Sequence, residues 1–460
     1  MTDTADISYD FARVVTETQY DDIDAESRDR AKQSIMDTLG VIIAASSLTP
    51  KIGAISDLTL EMGGTPEATM LGFGGKVPAL NAAFANGAMA HCLDFDDHAP
   101  EGHHPSSSIV PSAFALAERA GAVSGKEMIA ATAIAQDMFL RIRRNVSWKQ
   151  DWHLTTIIGG LSAAAACARV IKLDHAQTVS AIGIAGHQAS GTMELAYGTG
   201  SDLRGMYAGF VSKQATLAGL MAQRGIVGPG SMMEGRAGFF ATYLDGKYDR
   251  DAMLADLGTN FTGHAVQFKA WPSCGLTHSY IHAMSCLMKE QGLTPDDLKQ
   301  ITVHVGDFQE RLCTPIEDRR APKVPVDAKF SIPYCVAVAA VRGTVGLSDF
   351  TEDALENTDV LSVASKIVAE PDPSGDWDGK LPYGRVSVIT QDGRTFTRIG
   401  DQVPGESEAP MDWEYIVQKF REAASFSHKP LENAQIDRAV DMIQDLENLN
   451  DATHIIRALS

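Results

Sequence analysis

Apolar positions along the chain recur mostly at helical spacing. Between Asp24 and Ala45, Ala31, Ile35, Leu39 and Ile42 fall three or four residues apart behind Asp24, whose carboxylate suits a helix N-cap, and this predicts an amphipathic helix. Similar patterns predict helices over 79–93, 107–120, 126–141, 159–171, 176–185, 205–223 and 277–289. The run from Gly159 to Ala168 carries few large side chains, so neighbouring helices can approach it closely, and it is expected to be central and buried.

The texture changes after about residue 265. Ile301 to Val305 is a short β-branched run, and 386–390 followed by Asp392-Gly393 and 395–399 predicts a β-hairpin. The Pro-, Gly- and Asp-rich segment 371–382 reads as a surface loop, and helical spacing returns over 413–423, 431–446 and 452–459. The predicted fold is mainly α: a large all-helical domain from 1–264, completed by 408–460, with an α+β domain over 265–407 inserted between them.

Composition narrows the function. The 460 residues hold 39 Lys plus Arg against 59 Asp plus Glu, a formal charge of −20, with no basic run. Such a chain lacks the cations that displace counterions from a phosphate backbone, so no nucleic acid is expected as a partner. A hydrophobic content of 44% excludes disorder. The first twenty residues have no basic and apolar signal pattern, and the longest apolar stretches, 39–45 and 159–168, fall short of the ~18 residues of a membrane span. No membrane partner is expected, and six scattered cysteines read as reduced thiols of a cytoplasmic protein. The acid is unevenly placed: 81–230 holds eleven acidic and eleven basic residues, so this neutral stretch is where an anionic ligand is best tolerated.

That stretch also holds the densest titratable cluster. His91, His98, His103 and His104 are interleaved with Asp94, Asp96, Asp97 and Glu101, in a segment expected to be a loop on rigid helices. Carboxylates beside imidazoles can tune one His as a neutral base and another as an acid. A solvated acidic loop is the bland alternative, and a divalent metal is another, although no spacing such as H-E-x-x-H appears. Arg141, Arg143 and Arg144 fit a solvated helix end better than an anion clamp, whereas His153, before Thr155 and Thr156, is a stronger candidate. The turn 198–205 leads Arg204 into a helix start where a carboxylate can bind; it fits neither a dinucleotide fingerprint nor a P-loop. Lys269 to His278 brings a cation, a thiol and a His together; Cys274 reads as an inert buried thiol.

Six ordered segments carry a resemblance: His91-Cys92-Leu93-Asp94-Phe95-Asp96-Asp97; His104-Pro105-Ser106; Trp152-His153 with Thr155; Leu203-Arg204 to Gly209; Trp271-Pro272-Ser273-Cys274 with Thr277-His278; and Phe330-Ser331-Ile332-Pro333-Tyr334. Along nearly its whole length the chain resembles the MmgE/PrpD family, which includes 2-methylcitrate dehydratase, cis-aconitate decarboxylase and iminodisuccinate epimerase. The resemblance implies a helical domain with an α+β lid, a homodimer, and a site between the two domains that uses no organic cofactor and, in most members, no metal. It places Asp94, His104, His153, His278 and Tyr334 among the catalytic or substrate-binding groups. Two departures set the chain apart from decarboxylase-like members: Arg204 stands where they carry Lys, and His98 where they carry Thr. Arg stays charged and grips carboxylates with two prongs, so Arg204 suits a clamp better than an acid or base.

The expected activity is a cofactor-independent lyase acting on a small polycarboxylate, with dehydration leading and decarboxylation or epimerisation as alternatives; a non-catalytic relative is the rival of another class. In this reading His104, oriented by Asp94, abstracts a proton α to a carboxylate. Arg204 and Lys269 hold the acid groups, helped by His98 and Ser273, and His278 or Tyr334 protonates the departing hydroxyl.

Overall fold

The computed structural model describes residues 5–198 and 200–460, so Thr199 of the glycine-rich turn lies outside the described residues. Each predicted helix is present, displaced at its ends by a few residues, and the structure adds helices over Ile7–Glu17, Ile52–Glu61 and Ile332–Arg342. Asp24 caps Ala25–Leu48 by accepting from the Ser27 N–H at 2.8 Å. This helix is not amphipathic in place: every residue from Ala31 to Ser46 is buried. Ala79–His91, Gly125–Arg144 and the C-terminal Trp413–Ala424 pack around it and cover this stretch on every side. Leu154–Val170 is buried throughout, as its small residues predict.

The return of the C-terminal segment is fastened electrostatically. Lys419, 5% exposed, pairs with the buried Asp37 at 2.6 Å and donates to the Phe95 carbonyl at 2.7 Å, so a C-terminal helix supports the histidine-rich segment from behind. Lys32 pairs with Glu447 at 3.0 Å.

Two small sheets complete the chain. β1 (Ala68–Thr69) and β2 (Lys76–Val77) form a short antiparallel ribbon. β3 (Leu298–Val305), β4 (Ile367–Pro371), β5 (Arg385–Thr390) and β6 (Thr395–Ile399) form a sheet of order β4-β3-β5-β6, in which only β3 and β4 run parallel. The hairpin β5–β6 turns through Gly393 at φ +87°, a backbone state glycine adopts freely. Helix Gly275–Gln291 packs against this hairpin and against Ile332–Arg342. No single helix among the described residues is long and apolar enough to cross a membrane.

Backbone proximity in the helical part sets up the site. Ala79–His91 and Leu203–Gln223 touch through small residues: a Cβ added at Gly209 would lie 2.6 Å from the Phe84 carbonyl oxygen, and one at Gly205 would lie 3.0 Å from Cys92 Cα. This contact brings Arg204 and Tyr207 beside His91. Gly209→Val is expected to lower stability by about 1–3 kcal/mol, since backbone rather than a flexible side chain must give way; urea unfolding measures this as an earlier midpoint.

Candidate active site

The histidine-rich segment leaves its helix at His91 and turns sharply. Asp94 sits at φ +50°, a left-handed conformation rare for a side-chain-bearing residue, with its N–H donating to the His91 carbonyl at 2.8 Å. Further on, the His98 and Gln267 backbones exchange hydrogen bonds of 2.9 and 2.8 Å. That bridge fixes residues 267–269 against the turn and delivers Lys269 to Asp94, where its ammonium pairs with the carboxylate and also donates to the Asp94 carbonyl at 3.1 Å.

The result is a cavity of about 100 Å³. This is well below the ~300 Å³ at the lower end for drug-sized ligands, so its occupant is a small molecule. Asp94, His98, His104, His153, Arg204 and Lys269, six of the nine residues given a catalytic or binding role from sequence, line it. The remaining three do not. Ser273 is fully buried, its hydroxyl 2.7 Å from that of Thr277. His278 lies buried behind the wall with Nε2 3.3 Å from the Ser273 carbonyl. Tyr334 stands in the first turn of a helix capped by Ser331, which turns it inward, and its hydroxyl donates to the Asp349 carbonyl at 2.8 Å. The expectation that His278 or Tyr334 serves as the proton donor therefore does not match this geometry.

The carboxylate that orients His104 is also not the one expected. His104 Nδ1 is 2.8 Å from the Asp97 carbonyl and 3.2 Å from Asp96 Oδ2, whereas Nε2 is 3.9 Å from Asp94 Oδ1. The proton on Nδ1 thus points at Asp96 and Asp97, leaving the Nε2 lone pair toward the cavity. Asp96, fully buried, also accepts from His91 Nδ1 at 2.9 Å. Burial would raise the Asp96 carboxyl, but His104 and then His91 outweigh it and hold it well below the ordinary value. Asp96 and not Asp94 is the partner of His104.

Burial pushes three of the imidazoles, His98, His104 and His153, toward the neutral form. Burial, the dominant cause, lowers His104 against the opposing pull of Asp96, with Lys269 and His91 adding to the fall. Burial and then Lys269 bring His98 down to about 3; burial, His91, His104 and Arg204 bring His153 to about 3. Asp94 goes the other way: burial favours the neutral acid, yet Lys269 leads the charges that hold it at about 2. The rings of His104, His91, Tyr207 and His153 follow one another at centroid distances of 4.5, 4.5 and 4.4 Å, forming one continuous wall.

Several lining residues escaped the sequence reading. Tyr207 lies one turn beyond Arg204 on the same helix; Phe308 lies in, and Arg311 directly after, a short helix following β3; and Trp377 and Leu381 come from the segment expected to be a mere surface loop. Cys274 lines the cavity too, but burial raises its thiol pKa, which agrees with an inert role.

One ligand atom each from His91, Asp94, Asp96 and His104 lies within 4.8 Å of the others, a donor set that suits a divalent cation. Part of this set is already engaged, Asp94 Oδ1 by the Lys269 ammonium, His91 Nδ1 by Asp96 and His104 Nδ1 by the Asp97 carbonyl, whereas Asp94 Oδ2 has no hydrogen-bond partner among the described residues. Lys269 supplies the positive charge that a metal would bring. Dialysis against a chelator is accordingly expected to leave activity unchanged; a loss restored by a divalent ion would reverse that view.

Known proteins resemble this chain in sequence over most of its length. A model of the MmgE/PrpD N-terminal domain matches residues 9–251, and one of the MmgE/PrpD C-terminal domain matches 271–445. Cis-aconitate decarboxylase of Aspergillus terreus is 26% identical over 96% of this chain and 93% of its own length. The Homo sapiens cis-aconitate decarboxylase is 26% identical over 92% of this chain and 88% of its own. A 2-methylcitrate dehydratase of Salmonella typhimurium is 24% identical over 85% of each.

Proposed function

Since the chain belongs to the MmgE/PrpD family, we propose that it is a lyase that removes water from a small hydroxy-polycarboxylate without an organic cofactor or metal. The observation that carries the proposal is the contact of His104 Nδ1 with the Asp97 carbonyl, which can only accept and so assigns the proton to Nδ1 and leaves an unprotonated Nε2 at a small cavity that also holds Arg204 and Lys269. Abstracting a proton next to a carboxylate builds charge on a group already charged, so fixed cations supply much of the stabilisation. Arg204 is 5% exposed, its guanidinium lies 3.5 Å over the Phe330 ring, and its Nε has no partner among the described residues. Burial is the main influence lowering its pKa, to about 10, so it stays charged at neutral pH and is free to grip a carboxylate.

In this reading His104 Nε2 takes the α proton and the C–O bond breaks as the C=C bond forms. The proton then returns from His104 to the departing hydroxyl, which leaves as water. His153, held neutral, lines the same cavity with an unpartnered Nδ1 and donates a hydrogen bond to that oxygen, as a neutral imidazole can. Asp94 and Lys269 form a paired electrostatic base to the site. The α+β segment acts as the lid through Phe308, Arg311, Trp377 and Leu381.

Decarboxylation is the second reading, favoured by the wider coverage of the cis-aconitate decarboxylases among the relatives. Incubating the protein with citrate, 2-methylcitrate and cis-aconitate, with products followed by NMR, decides between them: loss of a hydroxyl supports dehydration, and loss of a carboxylate supports the alternative. No turnover of any of them would count against both.

The homodimer belongs to the same proposal. Leu203 and Phe210, seven residues apart on one helix face, are 50% and 52% exposed beside a groove that Tyr207 shares with the cavity. A second copy covering this face would bury them and close the cavity's flank. Phe210→Glu is expected to shift the protein to a monomer in light scattering with size exclusion; an unchanged mass would place the interface elsewhere.

A further inference from the structure

The geometry points to Arg311 as the anchor for a second carboxylate of the substrate, making the site selective for acids with at least two carboxylate groups; this rests on the proposed reading of the cavity. Arg311 comes from the α+β part of the chain, directly after the short helix Asp307–Glu310, and its side chain reaches the cavity that the helical part builds. Its guanidinium stacks 3.6 Å from the Phe308 ring centre and lies 5.6 Å from that of Tyr197. These rings hold the plane, and the Tyr197 side chain also engages the guanidinium as a hydrogen-bond partner. Nε and Nη1 are buried and have no partner among the described residues. Burial is the chief cause lowering its pKa, so the structure bears a cost for keeping this cation out of water.

Lys269 was the cation expected to share the acid groups with Arg204, but its ammonium is already paired with Asp94. Arg311 and Arg204 are the two lining guanidiniums with unused N–H groups, and they are near enough for Arg311 to lower the Arg204 pKa. Two forks on one small cavity suit two carboxylates of one molecule, because each offers two parallel N–H bonds to a planar anion. Since Arg204 and Arg311 belong to different parts of the chain, a dicarboxylate gripped by both also bridges them.

The test compares glutarate with glutaramate, in which a neutral amide of the same shape replaces one carboxylate, using NMR titration. Wild type is expected to bind glutarate about tenfold or more tightly than glutaramate. Arg311→Gln should bring the ratio close to one, and a ratio that stays at the wild-type value overturns the assignment. Should that variant not fold, Arg311→Lys carries the test: it keeps the charge and loses the fork, so the ratio should fall several-fold, and an unchanged ratio again overturns the assignment. If wild type binds neither acid, the reading of the cavity as a carboxylate site fails first, which separates the two failures.

Discussion

Replacing His104 with alanine is expected to lower turnover by about 10²-fold or more while the urea midpoint moves little. The side chain is 8% exposed and lies at the cavity wall rather than in the apolar core, so its loss removes the base without opening a large void. The pH dependence of the wild-type enzyme gives an independent check. Burial holds the His104 pKa below 6.5, so the ring stays unprotonated at and somewhat below that pH. The acid limb of kcat/KM should therefore fall below pH 6.5, whereas an unshifted histidine would place it near that value. Asp96→Asn should move this limb further toward acid, because the carboxylate that favours the charged ring is gone. A His104→Ala rate near wild type would remove this residue from the chemistry.

Lys269→Met is expected to cost about 3–5 kcal/mol of stability, the largest loss among the substitutions considered, because it strands a buried carboxylate. Lys269 is 1% exposed and Asp94 is 4% exposed, so water screens neither. The sign of the pH effect separates this from a simple packing loss. In wild type the Asp94 carboxyl sits at about 2, below the ordinary 3.8, so its contribution is present above that ordinary value and fades as pH falls toward 2. Without Lys269, burial prevails and the carboxyl pKa rises above its unfolded value, so the variant should weaken as pH increases. Urea unfolding of the variant at pH 5 and pH 8 measures the difference, with the greater deficit at pH 8. Adding Asp94→Asn should recover part of the loss; a double variant no better than Lys269→Met alone would show that the ion pair is not its source.

How much of this was legible in the sequence follows the range of the interactions. Asp24 and the spacing behind it specify a helix locally, as do the hairpin at Asp392-Gly393 and the small residues of 159–168. The cluster from His91 to His104 was legible as chemistry because its members are close in sequence. Which aspartate serves His104 was not, since Asp94 and Asp96 differ by two residues and only the left-handed turn at Asp94 decides where each points. Tyr334 came from a motif, which gives a residue type but no direction; capping by Ser331 fixes the helix, and the Tyr334 hydroxyl donates to the Asp349 carbonyl. Arg311 carried no signal, having neither periodicity nor motif neighbours, and Trp377 was masked by the polar loop around it.

The cavity wall is drawn from 91–104, 148–155, 193–196, 204–207, 269–276, 308–311, Phe330 and 377–381, so no contiguous portion of the chain forms it alone. A ligand that fits there is linked to the folding of every one of those segments. Mass action then converts occupancy into resistance to heat: an acid present at 100 times its dissociation constant adds about 2.7 kcal/mol to the native state. Melting temperature thus becomes a reporter of cognate chemistry. A panel of small di- and tricarboxylates can be ranked by thermal shift before any reaction is assayed, and the acid that raises the transition most identifies the carbon skeleton this fold was shaped to enclose.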